Sequence, residues 1–316
     1  MPPAGGGQGD KAPRKDPAPS ADTKNDKPSA AVKQSERIRF AEGYKSQFNA
    51  NKAATLSLMK QHLRLFADDL KKQLKKNWEA LGDDKTNAVK DVGVSPGLLA
   101  AYKRDLRDVM AGVATEAIAQ ARKEAPAAAR KVEFGDYDKL NPAVKRAIER
   151  QLVLVANSQA ADLEKIVLFQ WSSSDTQSNV DGILQDVEER VQPILDGSTQ
   201  VGMSLDAAAG DAVAHVTQNS RNAFFFAPEV LATIESFTFT NEDPVSEICQ
   251  NLNGQTFAAN DPNAEQFYPP LHHNCKSRLV PNEAGEAKIT GIGIVADSTE
   301  ERARLEKQMT LSCPHC

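Results

Sequence analysis

The sequence predicts a mainly α-helical fold, in which a helical N-terminal body is followed by a small α+β C-terminal module that contains cysteine and histidine. Apolar residues recur every three or four positions over most of the first 200 residues, as in amphipathic helices. The first alternation of β-branched and aromatic residues comes at 236–241, and all four cysteines follow residue 248. We therefore divide the chain into an arm (1–37), a helical domain (38–200), the module (201–282) and a tail (283–316).

The N-terminal arm has the composition of an unfolded segment. Its 37 residues contain six prolines, four glycines and a single branched aliphatic residue, Val32. Such a segment buries too little apolar surface to offset the entropy lost on ordering. We predict a disordered basic arm that could contact DNA.

Charge and hydropathy exclude several classes of protein. The formal net charge is -5, spread over both signs, which argues against a general nucleic-acid coat. No apolar stretch of the kind found in signal peptides follows Met1, and no apolar run is long enough to span a membrane. We predict no membrane partner. Four lysines between residues 71 and 76 form a second basic patch, which is most simply a solvated surface.

Helices are predicted along the whole body. The longest runs from about Ser35 to Leu81, either as one helix or as two, and its apolar stripe consists of Leu63, Phe66, Leu70, Leu74 and Trp78. Ser95-Pro96 and Asn141-Pro142 resemble helix starts, and Asp196-Gly197 resembles a helix end. Further apolar stripes predict helices at 144–155, 163–171, 180–194 and 205–226, with a short one after Pro228.

The module is predicted to contain a small sheet. Residues 236–241 form its first strand, and 255–257 and 276–280 are the expected partners. Gly254 suits a tight turn, and Pro269-Pro270 predicts a stiff extended approach. For carboxylates such as Glu188 and Glu189, the sequence pattern indicates no partner residue.

Cysteine and histidine spacing is the sharpest chemical signal. His272 and Cys275 share a two-residue spacing with Cys313 and Cys316, as in metal knuckles. Together these four residues could supply a tetrahedral Cys3His structural zinc site, with Cys249 or His315 as substitutes. The alternative is a set of reduced thiols without metal. A disulfide framework is disfavoured, because nothing marks the chain as secreted.

Two enzyme hypotheses are open to the same residues. Cys313-Pro-His-Cys316 occurs in thiol oxidoreductases, but no helix can follow Cys316 to activate the thiolate. His272 and His273 beside Asn274 invite comparison with metal-dependent His-Asn-His nucleases, which need a further histidine in a ββα unit. His62 and His215 are interpreted as ordinary surface or boundary residues. No glycine-rich phosphate loop or catalytic triad is visible. We therefore predict that the protein is not an enzyme.

The module resembles the Mu F-like minor head protein family of tailed phages, also typified by the gene 7 product of phage SPP1. The resemblance covers roughly residues 200–282 and rests on four motifs: Asp243-Pro-Val-Ser-Glu-Ile-Cys249, Leu252-Asn-Gly254 with Phe257, Pro269-Pro270, and His272-His-Asn-Cys-Lys276. Many members carry a further cysteine where this chain has Ser277. Asp243, Cys249, Gly254, His272, Asn274 and Cys275 are the residues to which we assign structural roles.

The resemblance implies a low-copy internal head protein. Such a protein binds the portal vertex during procapsid assembly in the host cytoplasm and is then found inside the virion capsid. The portal protein is the expected partner, and the major capsid protein, a scaffold protein and packaged viral DNA are further candidates. A metal-dependent nuclease and a zinc-binding adaptor remain the alternatives.

Overall fold

The computed structural model describes ten ranges of the chain. Within these ranges, side chains are described at all residues except 30–42, 143–144, 147, 151, 167–173 and 310. The described ranges are 30–81, 88–89, 91–132, 134, 140, 142–173, 180–196, 204–241, 246–272 and 275–310.

The chain forms two compact units, residues 1–39 and residues 40–316. In the first unit only the backbone of 30–39 is described, and it is helical. The predicted helical domain (38–200) and module (201–282) lie almost entirely within 40–316, and both contribute residues to one hydrophobic core.

Helix α1 (Ala30–Ala80) is a single helix. The predicted stripe faces the core, with these side chains buried: Leu63, Phe66, Leu70 and Leu74. Residues 30–37, which the sequence assigned to the arm, are helical, and the rest of the arm lies outside the described residues. No proline or glycine stands between Pro28 and Gly43, so nothing in the sequence stops the helix from extending into the arm.

The body continues with four more helices. Helix α2 starts at the predicted Ser95-Pro96, and α3 joins two predicted helices into one. Helices α2, α3 and α5 pack against one another, and α4 packs on α3. Their bounds are α2 (Pro96–Glu124), α3 (Pro142–Ser173), α4 (Val180–Leu195) and α5 (Leu205–Phe225).

A three-stranded antiparallel sheet follows, after the short helix α6 (Pro228–Leu231). Its strands, in the spatial order β2-β1-β3, begin and end within two residues of the predictions. Phe237 of β1 stands opposite Phe257 of β2 and Pro281 of β3, and the phenyl rings face the core. The bounds are β1 (Ser236–Thr240), β2 (Thr256–Ala258) and β3 (Arg278–Asn282).

Helix α7 (Glu247–Leu252) stands where the sequence predicted a turn at 243–249. The Ser246 hydroxyl accepts a hydrogen bond from the Cys249 amide at 3.3 Å, which caps the helix. Gly254 then turns the chain with φ +84°, as predicted, and its amide donates to the Phe239 carbonyl of β1 at 2.8 Å. The turn joins α7 to the sheet.

An extended strap, residues 288–297, covers the outer edge of β2. The Thr290 amide donates to the Thr256 carbonyl at 2.8 Å. Farther along, the Gln255 side-chain amide exchanges two hydrogen bonds with the backbone of Gly293, and the Asn251 amide does the same with Val295. Because Asn251 lies on α7, the strap brings the chain back beside that helix.

Helix α8 (Thr299–Thr310) ends the described chain, in the segment predicted to be a tail. Its start carries a capping signal that the sequence prediction missed: the Ser298 hydroxyl accepts from the Glu301 amide at 3.0 Å. Leu305 is buried, and Arg304 forms an ion pair with Glu247 of α7. Helix α8 therefore packs on α7. None of the described helices combines the length and apolarity needed to cross a membrane.

A buried ion cluster joins the helices to the sheet. Glu124, at the end of α2, accepts from Arg221 of α5 at 2.7 Å and from Arg278 of β3 at 3.1 Å. The exposed fractions of the three side chains are 4%, 1% and 6%. Both guanidinium groups also lie over the ring of Tyr44 in α1. The cluster therefore joins four elements: α1, α2, α5 and β3.

Burial by itself would raise the pKa of Glu124. The two guanidinium groups outweigh burial, however, and hold that pKa below its usual range. The carboxylate stays charged although it lies at a helix C-terminus, where the helix dipole disfavours negative charge. Burial also raises the pKa of Tyr44 to about 12, so its phenol is neutral beside the arginines.

We expect Glu124→Gln to destabilise the protein by about 3–5 kcal/mol, because it leaves two buried guanidinium groups without a counter-charge. Denaturant unfolding measures this loss. Glu188→Gln is the matched control, since Glu188 pairs with Lys71 at an exposed position and such pairs contribute about 0–1 kcal/mol. Equal losses in the two variants would contradict the assigned role.

The same carboxylate predicts a pH dependence of stability. Its pKa is lower in the folded than in the unfolded chain, so its contribution is present above the unfolded value of about 4.3. That contribution disappears as the pH falls through the folded pKa. We expect a weaker fall in stability between about pH 5 and pH 2 in Glu124→Gln than in the unaltered protein. Parallel curves for the two proteins would exclude Glu124 as a source of the acid sensitivity.

Candidate metal centre

Cys249 lies in the first turn of α7 and is completely buried. Ile248 and Leu252, on either side of it along the helix, are also buried. This spacing turns one face of the short helix toward the hydrophobic core, and Cys249 lies on that face.

The loop between β2 and β3 is anchored by aromatic stacking. The Tyr268 ring stacks on Phe226 with centroids 4.5 Å apart, and the Asn222 side chain of α5 donates to the Pro269 carbonyl at 2.9 Å. The peptide between Pro269 and Pro270 is cis, where the sequence predicted an extended approach. These contacts set the course of the chain just before His272.

The backbones of His272 and Cys275 are hydrogen-bonded to each other at the end of this loop. The Cys275 amide donates to the His272 carbonyl at 3.1 Å. Cys275 is buried and His272 is half-buried. This hydrogen bond holds the two residues close together, and their side chains reach the same point.

Cys249, His272 and Cys275 converge into one cluster, as the sequence predicted. The Cys249 sulfur lies 3.8 Å from the Cys275 sulfur and 2.9 Å from Nε2 of His272. All three ligand atoms lie within 4.8 Å of one another, so the cluster could hold a metal ion. Both thiols are free, and their sulfur atoms are far beyond the disulfide bond length of about 2.05 Å.

Two serines and an asparagine that the sequence prediction did not assign support the cluster. The Ser246 hydroxyl lies 2.7 Å from Nε2 of His272, and the Ser277 hydroxyl donates to the Cys249 sulfur at 3.0 Å. Ser277 in turn accepts from the Asn241 side chain at 2.9 Å. Such partners orient ligand side chains. Only their spatial position distinguishes them from other polar residues.

The pKa values of the two thiols are shifted in opposite directions. The hydrogen bond from Cys249 lowers the pKa of Cys275 well below its usual value, against the effect of burial, and His272 acts in the same direction as the hydrogen bond. The same hydrogen bond, together with burial, raises the pKa of Cys249. The thiolate is the form that binds metal, so Cys249, whose pKa is raised, would lose its proton when a metal binds.

The separation of the two cysteine sulfurs fits a tetrahedral zinc site. Two sulfur ligands at about 2.3 Å from zinc lie roughly 3.8 Å apart at the tetrahedral angle. The two cysteine sulfurs already have this separation. A sulfur and an imidazole nitrogen on the same ion would lie about 3.6 Å apart, so His272, at 2.9 Å, would have to move slightly outward.

Several predicted site residues lie outside the described residues. These are Asp243, His273, Asn274, Cys313, His315 and Cys316. Within the described part of the chain, three of the five predicted metal ligands come together. The His-Asn-His hypothesis depends on His273, so only its His272 is placed.

The basic patch and His62, the other residues considered in the sequence, contact partners within the fold. Lys71 and Lys75 of the basic patch form ion pairs with Glu188 and Asp181 of α4, so Glu188 has a partner that its sequence pattern did not indicate. His62 is buried rather than at the surface or boundary. It lies 3.1 Å from an Asp105 carboxylate oxygen.

No family model, curated protein or solved structure matches this chain significantly.

We expect zinc to stabilise the unaltered protein by about 3 kcal/mol at a hundredfold excess over its Kd. Cys275→Ala should lower the stability of the metal-free protein by on the order of 1–3 kcal/mol and abolish the gain from zinc. Thermal unfolding with and without zinc measures both effects. Mg²⁺ is the control ion, because it prefers oxygen ligands and should stabilise neither protein. A zinc effect that survives in Cys275→Ala would move the site elsewhere.

Proposed function

We propose that the chain is a minor head protein of a tailed phage, a low-copy internal component that binds the portal vertex during procapsid assembly. One observation carries this proposal. The residues on which the resemblance to the Mu F-like family rests, as far as they are described, form a single compact module, with Cys249, His272 and Cys275 meeting at its centre. Motifs that are spread between Asp243 and Lys276 in the sequence thus contribute to one structural element.

The metal in this proposal is structural zinc. Two thiolates and an imidazole are soft and intermediate ligands, which favour zinc over the hard cations magnesium and calcium. When bound, zinc supplies a strong cross-link between its ligands. In this module, Cys249 would hold α7, and His272 and Cys275 would hold the loop that leads into β3.

The module is suited to binding rather than to independent movement. The buried cluster of Glu124, Arg221 and Arg278 ties β3 to the helical body, so a partner that binds the helices also fixes the module. A portal-binding protein needs such a rigid surface, because ordering a flexible one would reduce its affinity. The predicted basic arm, residues 1–37, would supply lysines and arginines for contact with packaged DNA.

Quantitative mass spectrometry of procapsids and mature heads tests the proposal. We expect a few copies of the chain per portal ring, far fewer than copies of the major capsid protein. Heads assembled without portal are the matched control and should lack the chain. Absence from both procapsids and mature heads would contradict the proposal, and equal amounts in heads with and without portal would contradict portal binding.

A further inference from the structure

The strap, residues 288–297, presents a row of unpaired backbone groups on the side that faces away from β2. We infer that this edge pairs with the same edge of a second copy of the chain, so that two antiparallel straps join the sheets of two molecules. The inference concerns an interaction surface, and it depends neither on the zinc site nor on the proposed role in the phage head.

The hydrogen bonds on the inner side of the strap alternate along the chain. The backbone of Gly293 exchanges two hydrogen bonds with the side-chain amide of Gln255. The backbone of Val295 does the same with the side chain of Asn251. The Gly291 amide donates to the backbone of β2 at 2.9 Å. Every second residue of the strap therefore turns its backbone groups toward the module.

The residues between them have the opposite orientation. Consecutive residues of an extended chain direct their backbone N–H and C=O groups to opposite sides. Ile292, Ile294 and Ala296 therefore direct theirs away from the module. None of the three has a backbone hydrogen bond to any residue that the structure describes. Their three donors and three acceptors form the kind of edge that an added strand completes.

This edge is both accessible and fixed in place. Val295 is 69% exposed and Ile289 is 46% exposed, more than any other large apolar side chain in the described part of the chain. Ile292 and Ile294, on the other hand, pack against the hydrophobic core and hold the strap down. Because the edge is already ordered, binding a partner costs little further entropy.

The three outward residues complement a second copy of themselves. An antiparallel arrangement centred on Ile294 places Ile292 opposite Ala296 of the second copy, and Ala296 opposite Ile292 of the second copy. All three residues then lie in hydrogen-bonded pairs, and no outward group is left over. A two-fold axis through the centre makes the two halves of the contact equivalent, as in most homodimers.

The side chains suit the same register. Val295 stands opposite Gly293 of the second copy, and residues directly opposite each other project to the same face of a sheet. A Cβ atom at Gly293 would have no atom within 4 Å in its own molecule. The space above Gly293 is therefore open to the exposed Val295 side chain of the second copy.

Charge favours the antiparallel orientation. Lys288 stands at one end of the strap and Asp297 at the other, both are exposed, and neither forms an ion pair with a described residue. Antiparallel pairing brings the basic end of each strap toward the acidic end of the other, whereas parallel pairing would bring like charges together. The strap is thus self-complementary in hydrogen bonding, shape and charge.

Analytical ultracentrifugation of the full-length protein over a range of concentrations tests the inference. Interfaces that bury less than about 1,200 Å² are weak, so we expect a monomer–dimer equilibrium at micromolar concentrations and above. Ala296→Pro should weaken dimerisation by about tenfold or more, because proline lacks the N–H group and two-fold symmetry doubles the loss to two hydrogen bonds. Ala296→Ser is the matched control: it keeps the N–H group and should dimerise like the unaltered protein.

Hydrogen exchange in the unaltered protein locates the contact without any variant. At low concentration the outward amides of Ile292, Ile294 and Ala296 should exchange freely, and at high concentration they should be protected. The inward amides of Gly293 and Val295, which are bonded within the molecule, should be protected at both concentrations. Dimerisation through another surface would not produce this alternation.

Three results would overturn the inference. The first is a protein that remains monomeric at millimolar concentration. The second is a dimer in which the three outward amides still exchange freely, or which folded Ala296→Pro forms as well as Ala296→Ser does, because the contact would then lie elsewhere. The third is protection of these amides only after portal protein is added, because the edge would then bind that protein and not a second copy.

Discussion

The carboxylate of Glu124 is the constraint around which the described structure is arranged. It lies almost fully buried at the end of α2, and it can remain charged there only because Arg221 and Arg278 reach it from α5 and β3. A buried charge without such partners would cost several kcal/mol. The positions of these three elements are therefore coupled. The Tyr44 ring, which lies under both guanidinium groups, adds α1 to the same set.

This coupling explains how a small module can hold the thiol cluster in a defined geometry. A three-stranded sheet and a helix of six residues have little core of their own. Here β3 is held by Arg278, and the loop before it is held by Asn222 of α5 and by stacking of Tyr268 on Phe226. The cluster forms where β3 and the loop before it, both anchored to the helices, approach α7. The helical body thus fixes the positions of these elements, and the cysteines and the histidine supply ligands that could hold a metal ion.

The sequence predicted the parts of this structure that follow from local rules. The apolar stripe of α1, the Ser95-Pro96 start of α2 and the Gly254 turn each depend on residues within a few positions of one another. The approach of His272 and Cys275 to Cys249 was also predicted, from spacing and from the family resemblance. The short helix α7 was missed because its Ser246 cap stands next to a proline-containing turn motif. Helix α8 was missed because its apolar face is narrow, although Ser298 and Glu301 carry a capping signal.

What the sequence determined by itself was therefore the helical class, the small sheet and the set of residues able to bind metal, since periodicity and residue chemistry are local properties. Only the tertiary structure decided which charges are buried and which side chains surround the thiols. Glu124, Arg221 and Arg278 are separated by up to 154 positions and look like ordinary surface residues in sequence. Ser277 and Asn241 likewise acquire their roles only from position. Burial and long-range pairing depend on how the elements pack, which no short stretch of sequence contains.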